Sequence, residues 1–219
     1  DKEEQYQTYI ENNPKKYVGP QHYWRMPKET FNKRGKKNKS AALGFIEDDN
    51  GNKYYHQKNS HDKLTEEFDF YSDGEQYIYF RSARDPYDLL GGLKLAVNNK
   101  LLILASNMDI SNLRFACTGG HALQIGGSPA RNVRISNCVI EDIGGSYLDA
   151  EYEERYGNGI EFHSSDAENI EITDNIVRDV YDVAFTIQGD TGSGRDILVH
   201  DNVFVNNTQD SEIWEGSEA

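Results

Sequence analysis

The chain has 219 residues, with 37 acidic against 23 basic side chains and a formal charge of −14 at pH 7. A body this acidic repels polyanions, which excludes nucleic acid as a natural partner and makes uronic-acid polymers poor ligands unless cations bridge them. No apolar run approaches the ~20 residues that cross a bilayer, and the opening Asp1-Lys-Glu-Glu lacks the apolar stretch of an export signal. Membrane insertion is therefore not expected, and any export signal has already gone.

Charge is unevenly shared. Residues 1–60 hold 12 Lys/Arg against 8 Asp/Glu, whereas residues 61–219 hold 11 against 29, so the two parts differ in kind. The segment 1–61 is basic, aromatic-rich and of uncertain fold. Its run Lys33, Arg34, Lys36, Lys37, Lys39 lies in a Gly/Asn/Ser-rich stretch and reads as a solvated loop. Tyr6, Tyr9, Tyr17, Tyr23, Trp24, Tyr54 and Tyr55 either cover an adjoining part of the core or offer ring faces to a sugar.

Residues 62–105 read as a β-rich entrance to the second half of the chain. Phe68-Asp-Phe-Tyr71 and Gln76-Tyr-Ile-Tyr-Phe80 flank Ser72-Asp-Gly-Glu75, a strand, turn and strand with hairpin chemistry. The apolar runs Leu93–Val97 and Leu101–Leu104 come next.

From about residue 106 the sequence repeats. Asn107-Met-Asp-Ile-Ser-Asn-Leu-Arg-Phe115 aligns with Asn132-Val-Arg-Ile-Ser-Asn-Cys-Val-Ile140, 25 residues on. Asn169-Ile-Glu-Ile-Thr-Asp-Asn-Ile-Val177 comes 37 later and Asp196-Ile-Leu-Val-His-Asp-Asn-Val-Phe204 another 27. Apolar–polar alternation marks strands, and the Asn or Asp marks a bend that tolerates left-handed backbone. Asn112, Asn137, Asp174/Asn175 and Asp201/Asn202 then form columns at ~4.8 Å spacing, in which side-chain amides bond along the stack. A third strand, His121–Gly126, Asn158–His163 and Val183–Gln188, turns Leu123, Ile160 and Phe185 inward and Gln124, Glu161 and Thr186 outward. Cys117 and Cys138 fall at different points of the repeat, so two buried thiols rather than a disulfide are expected. A further repeat begins at Asn206–Trp214 without an amphipathic cap, which suggests part of a longer chain.

Asn132-Val-Arg-Ile-Ser-Asn-Cys-Val-Ile140, Tyr156-Gly-Asn-Gly-Ile-Glu-Phe162, Asn169-Ile-Glu-Ile-Thr-Asp-Asn-Ile176 and Tyr181-Asp-Val-Ala-Phe-Thr-Ile-Gln188 resemble the pectin-lyase-like superfamily of right-handed β-helix proteins. The resemblance covers about half of the chain and implies an all-β fold, a right-handed single-stranded parallel β-helix (solenoid) over 106–219. It also implies a bacterial carbohydrate-active protein, secreted or held at the cell envelope, whose partner is a polysaccharide or oligosaccharide. Repeats of this kind specify the fold better than the reaction.

The insertion Ser146–Tyr156 projects beside the strand carrying Glu161 and His163, and loops on a rigid stack are where sites are built. Glycosidic hydrolysis needs two carboxyls, and Glu161 and Asp182 are the nearest candidates, with His163 as a general base or sugar-hydroxyl partner. Alignment sets Asp182 against Gly157, four positions and ~13 Å along the strand from Glu161, so either a bend closes the gap or Asp149, Glu151, Glu153 or Glu154 of the insertion supplies the partner instead. Gln188, His121, Tyr156, Asn158, Gln124, Tyr181 and Arg155 are the candidate substrate-binding residues. Arg155 and Arg178, the nearest bases for lyase chemistry, stand among many acids, which favours hydrolysis over a polysaccharide lyase. The other alternative is a non-catalytic, tailspike-like or glycan-binding stack. No cofactor or metal is called for. Asp149, Glu151, Glu153 and Glu154 offer oxygens that would suit Ca²⁺, but their spacing fits no calcium-loop motif.

Overall fold

The computed structural model describes residues 16–17, 23–27, 43–72, 77–147 and 154–214. The basic run 33–39, Tyr6, Tyr9, the turn residues 73–76 and the insertion acids Asp149, Glu151 and Glu153 lie outside these. The chain forms two compact units, residues 1–97 with 147–154 and residues 98–146 with 155–219. The division after Val97 falls inside the expected entrance region.

The first unit holds β1 (Lys16–Tyr17), β2 (Tyr23–Pro27), β3 (Leu43–Asp48), β4 (Lys53–Tyr54), β5 (Phe70–Ser72), β6 (Tyr77–Arg81) and β7 (Leu93–Val97). They pair as two antiparallel sheets, β1-β2-β6-β5 and β4-β3-β7. The expected hairpin is present as β5 and β6, with Phe70 opposite Phe80. Leu43, Ile46, Phe70, Ile78, Phe80, Leu90 and Leu93 form its core.

The second unit is built of β8 (Leu102–Leu104) and four repeats. The first is β9 (Met108–Ser111), β10 (Arg114–Thr118) and β11 (Leu123–Ile125). The second is β12 (Ala130–Ser136), β13 (Val139–Ile143), the short β14 (Ser146–Tyr147) and β15 (Arg155–Tyr156) that bracket the insertion, and β16 (Ile160–His163). The third is β17 (Ala167–Thr173), β18 (Ile176–Val180) and β19 (Val183–Gln188); the fourth is β20 (Gly194–His200), β21 (Val203–Val205) and β22 (Gln209–Ile213). Each repeat gives one strand to each of three parallel sheets, ordered β9-β12-β17-β20, β10-β13-β18-β21 and β8-β11-β16-β19-β22. The fold is all-β. Among the described residues the helical segments are a 3-10 turn at His61–Lys63 and the five-residue Pro86–Leu90.

The register joins like to like. Leu123, Ile160 and Phe185 lie side by side, as do Val133, Ile170 and Ile197, and Phe115, Ile140, Val177 and Phe204. Most of these side chains are fully buried in one continuous core, each contributing about 1.5–3 kcal/mol relative to exposure. No single repeat encloses its own apolar face, so neighbours supply the stability.

Each repeat carries three left-handed residues, the second at the corner between the first and second sheets and the other two within or at the edge of strands. Their columns are Asn107, Asn132, Asn169 and Asp196; Asn112, Asn137, Asp174 and Asp201; and Cys117, Asp142, Asp179 and Asn206, with φ between 52° and 63°. Asn and Asp tolerate this conformation better than other non-glycine residues, which explains their abundance here. The sequence reading found the second column and placed the bonded amides there. At that corner Asn175 Nδ2 donates to Asn202 Oδ1 at 3.0 Å, and the structure adds a longer amide ladder in the first column, where Asn132 Nδ2 donates to Asn107 Oδ1 at 2.9 Å and Asn169 Nδ2 to Asn132 Oδ1 at 2.8 Å. Asn175 and Asn202 stand one step inside the corner and cap backbone: Asn175 Oδ1 accepts from the Cys138 N–H and Asn202 Oδ1 from the Asn175 N–H. Cys138 is buried as expected, but Cys117 is exposed. Cys117 takes the place that Asn or Asp holds in the other repeats.

Candidate functional site

The site lies on the outward side of the third sheet of the second unit. Parallel pairing sets Gln124, Glu161, Thr186 and Glu212 in one row, each on the strand next to the last. Side chains on such a row are expected to be solvated, yet Glu161 is 2 % exposed, Gln124 8 % and Thr186 fully buried. Burying a carboxylate is costly unless hydrogen bonds replace its water.

Three groups do so. Gln124 Nε2 donates to Glu161 Oε2 at 2.5 Å, Gln188 Nε2 donates to Oε1 at 2.8 Å, and His121 Nδ1 lies 2.9 Å from Oε2. Burial pushes the Glu161 carboxyl up, but His121, Gln188 and the field of His163 outweigh it and hold the group below its ordinary value. The His121 nitrogen also faces the Asn158 backbone N–H at 3.1 Å. One ring nitrogen cannot donate to Glu161 and accept from Asn158 at once, so the two contacts call for different positions of the ring N–H.

Two atoms of the row have no partner. Gln124 Oε1 and Thr186 Oγ1 are buried and make no hydrogen bond. A bare buried polar atom costs about 1–3 kcal/mol. A ligand or water donating to them would remove that cost.

Asp182 is half-buried and its backbone N–H donates to Gly157 O at 3.3 Å, which places it four residues along from Glu161, as the alignment implied. The expected pair therefore does not share a column. The carboxylate that does is Glu212, two strands from Glu161, about 9.6 Å at the usual strand spacing. Burial raises the Asp182 carboxyl, Glu212 and Glu161 raise it further, and His121 opposes them. Glu161 and Asp182 are thus pushed apart, one held ionised and the other holding its proton longer. Sequence reasoning missed Glu212, although extending the third column to Gln209–Ile213 would have found it.

The other candidates divide. His163 is exposed, stands in register with Gln188 and reaches Glu161 through its field. Gln188 is tied to Glu161, and its Oε1 accepts from Trp214 Nε1 at 3.2 Å. Tyr156 packs edge-on against His121 with ring centres 4.8 Å apart and donates its hydroxyl to Asn98 Oδ1 at 2.6 Å. Burial raises its phenol.

Three candidates act on structure instead. Asn158 is buried and its Oδ1 accepts from the Val183 N–H at 3.1 Å, so its amide oxygen caps the next strand. Arg155 donates to Gly145 O at 2.6 Å and lies 4.6 Å over the Tyr181 ring, holding that pair together. Arg178 pairs with Glu141 on the second sheet, away from the row.

Among the described residues one grouping has metal-ligand spacing: His56, Glu66 and Asp69 of the first unit. The Asp69 carboxylate is buried, and the Lys58 ammonium at 3.2 Å already supplies its positive charge. Of the insertion acids considered for Ca²⁺, Glu154 alone is described, and it is exposed.

These observations define an all-β protein whose second unit has three parallel sheets, one of them carrying the buried Glu161 carboxylate. Compared with protein-family models, curated proteins and solved structures, the chain matches none. No helix among the described residues is long and apolar enough to cross a membrane.

Proposed function

We propose that the three stacked sheets form a right-handed single-stranded parallel β-helix, and that its third face hydrolyses glycosidic bonds of a polysaccharide or oligosaccharide. The hand is inferred from strand crossovers, which are right-handed in about 98 % of parallel connections. The observation that carries the function is the Gln124–Glu161–Thr186 row: a buried ionised carboxylate beside two buried polar atoms with no partner. Sugar hydroxyls both donate and accept, and so suit such a row.

The chain bends at Gly159 and at Tyr181–Asp182, and the Glu161 charge acts on Asp182. In this reading these bends close the gap, Glu161 takes the proton of the attacking water, and Asp182, whose proton is held, gives one to the leaving oxygen. Glu212 stands in the row as a second carboxylate and helps to keep the Asp182 proton in place. Hydrolysis is favoured over a lyase because Arg155 is tied to Gly145 and Tyr181 and Arg178 to Glu141. The burial of Glu161 favours one other reading, a stack that holds glycan without cleaving it. Secretion or attachment to a bacterial envelope fits either.

Glu161→Gln in the full chain, incubated with neutral and acidic oligosaccharides, decides between them. Hydrolysis predicts that wild-type turnover falls by about 10²–10⁴-fold in the variant. Unchanged turnover removes Glu161 from the mechanism, and binding with no product in the wild type favours the holding stack.

A further inference from the structure

We propose that Trp214 is the stacking platform of this site and that the glycan it receives is neutral, an inference that rests on the glycan-active reading above. The strand β22 carries Glu212 in register with Thr186 and Ile213 in register with Ile187. Its end is fixed by the Trp214 N–H, which donates to Ile187 O at 3.0 Å. The indole is fixed too. Its Nε1–H donates to Gln188 Oε1 at 3.2 Å, and Gln188 Nε2 donates to Glu161 Oε1 at 2.8 Å. The Gln188 amide has one orientation that serves both, because its NH₂ must face the carboxylate and its oxygen the indole. Two hydrogen bonds thus tie the position of the Trp214 ring to that of the Glu161 carboxylate.

Trp214 nevertheless remains 44 % exposed. Its polar atom is satisfied within the protein, so what it offers outward is apolar ring. On the same sheet the bare Thr186 Oγ1 stands one strand away and the bare Gln124 Oε1 two strands further along the row. The complementary ligand has an apolar face for the ring and hydroxyls at its edge for the row, which is the surface of a pyranose, with its axial C–H groups on one side and its equatorial hydroxyls around it. Aromatic faces bind through such contacts with little loss of rotamer freedom.

Charge selects among pyranoses. The charges of Glu161 and Glu212 both act on Asp182 here, and no Lys or Arg among the described residues hydrogen-bonds or ion-pairs with any of the three. A uronate carboxylate brought into this field would be repelled, and a sugar without charge would not.

Tryptophan emission and steady-state kinetics test this in the full chain, which has two tryptophans, Trp24 and Trp214. The probes are neutral β-linked hexaoses of glucose, xylose and mannose, and a hexagalacturonate of equal length. At least one neutral hexaose should shift the wild-type emission, and Trp214→Phe should lose that shift while keeping most of the affinity. Trp214→Ala should raise KM about tenfold with kcat little changed, as loss of one aromatic stacking contact implies. An unchanged urea midpoint in both variants shows that the fold is intact.

Unaltered KM in Trp214→Ala with turnover intact overturns the platform and leaves the hydrolase standing. Tighter binding of hexagalacturonate than of every neutral hexaose overturns the neutral class. Neutral hexaose binding that Trp214→Ala abolishes, with no product from the wild type, keeps the platform and overturns hydrolysis. No response to any of the four sugars overturns both.

Discussion

Two outward rows of the second unit are built on the same geometry and have opposite chemistry. On the first sheet Arg131, Glu168 and Arg195 lie in register, as do Arg134 and Glu171 with His200 nearby, and every member has an opposite charge at hand. The basic members of that ladder lie largely in water. On the third sheet Gln124, Glu161 and Thr186 occupy the corresponding place on their strands but are buried, and two of their atoms have no partner. In the ladder His200 Nε2 is buried without a hydrogen bond, but it lies 3.5 Å from the Glu171 carboxylate. The row is incomplete, and incompleteness in a buried place is what marks a site. Shape alone would have pointed elsewhere. A hollow of about 370 Å³ lies on the first sheet, lined by Asn107, Asn132, Arg134 and Glu171 among others, but its side chains already answer one another.

The sharpest way to break this contrast is Thr186→Val, which replaces the bare hydroxyl by a methyl of the same shape. If the hydroxyl is unsatisfied in the free protein, the variant gains about 1–3 kcal/mol in urea unfolding, and hydrolysis falls at the same time. A loss of stability instead would mean that the hydroxyl is already satisfied and that the row needs no ligand.

Titration separates Glu161 from Asp182 and His200 by sign. Glu161 has a lowered pKa, so its contribution to stability is present above the ordinary carboxylate value and is lost as pH falls through the folded one. Asp182 is shifted the other way, and its ionisation weakens the fold as pH rises from the ordinary carboxylate value through its raised one. If Asp182 is the proton donor, kcat/KM falls over that same upper range, and Asp182→Asn abolishes that limb along with most of the activity. On the ladder, His200 is raised by Asp201 and Glu171, so its contribution is complete below the ordinary imidazole pKa and disappears as pH rises through the raised one. His200→Gln should remove this trend from the stability profile and leave the activity profile as it was.

The smallest effect belongs to the exposed ladder itself. Arg131→Ala removes one of two guanidinium partners of Glu168, and Arg195 remains. The urea midpoint should barely move, and whatever difference exists at low salt should vanish in 0.5 M NaCl, as roughly expected for screened surface pairs. A large shift that persists in salt would show the ladder to be as structural as the buried row.

Much of this contrast was legible in the chain, and the boundary of legibility has a physical cause. Alternation of period two fixes which side of a sheet a residue takes, and so Leu123, Ile160 and Phe185 on one side and Gln124, Glu161 and Thr186 on the other stand where the pattern put them. Alternation does not say what lies over the outward side. The outward position of Glu161 therefore gave no sign of its burial. The same limit explains Asn158, whose amide looked available to a substrate until its bond to the Val183 N–H placed it in the scaffold. Asp182 and Glu212 fail differently. Matching a carboxylate by nearness in sequence chose the residue at the start of the next strand, while the residue in the same column was one repeat further on. His121 was placed beside the site correctly, but its competition between Glu161 and Asn158 depends on two distances that no spacing encodes.

The three left-handed columns have a consequence beyond support. In all four repeats the first and third of these residues bound an eleven-residue block: 107–117, 132–142, 169–179 and 196–206. The stretches between blocks are 118–131, 143–168 and 180–195, and all the variation in repeat length lies there. The molecule thus has a constant cassette that keeps the sheets in step and a variable passage that threads the third face. New loops can be grafted into the passage without disturbing the beat of the cassette, so a chain of this design can change what it recognises while keeping how it stacks.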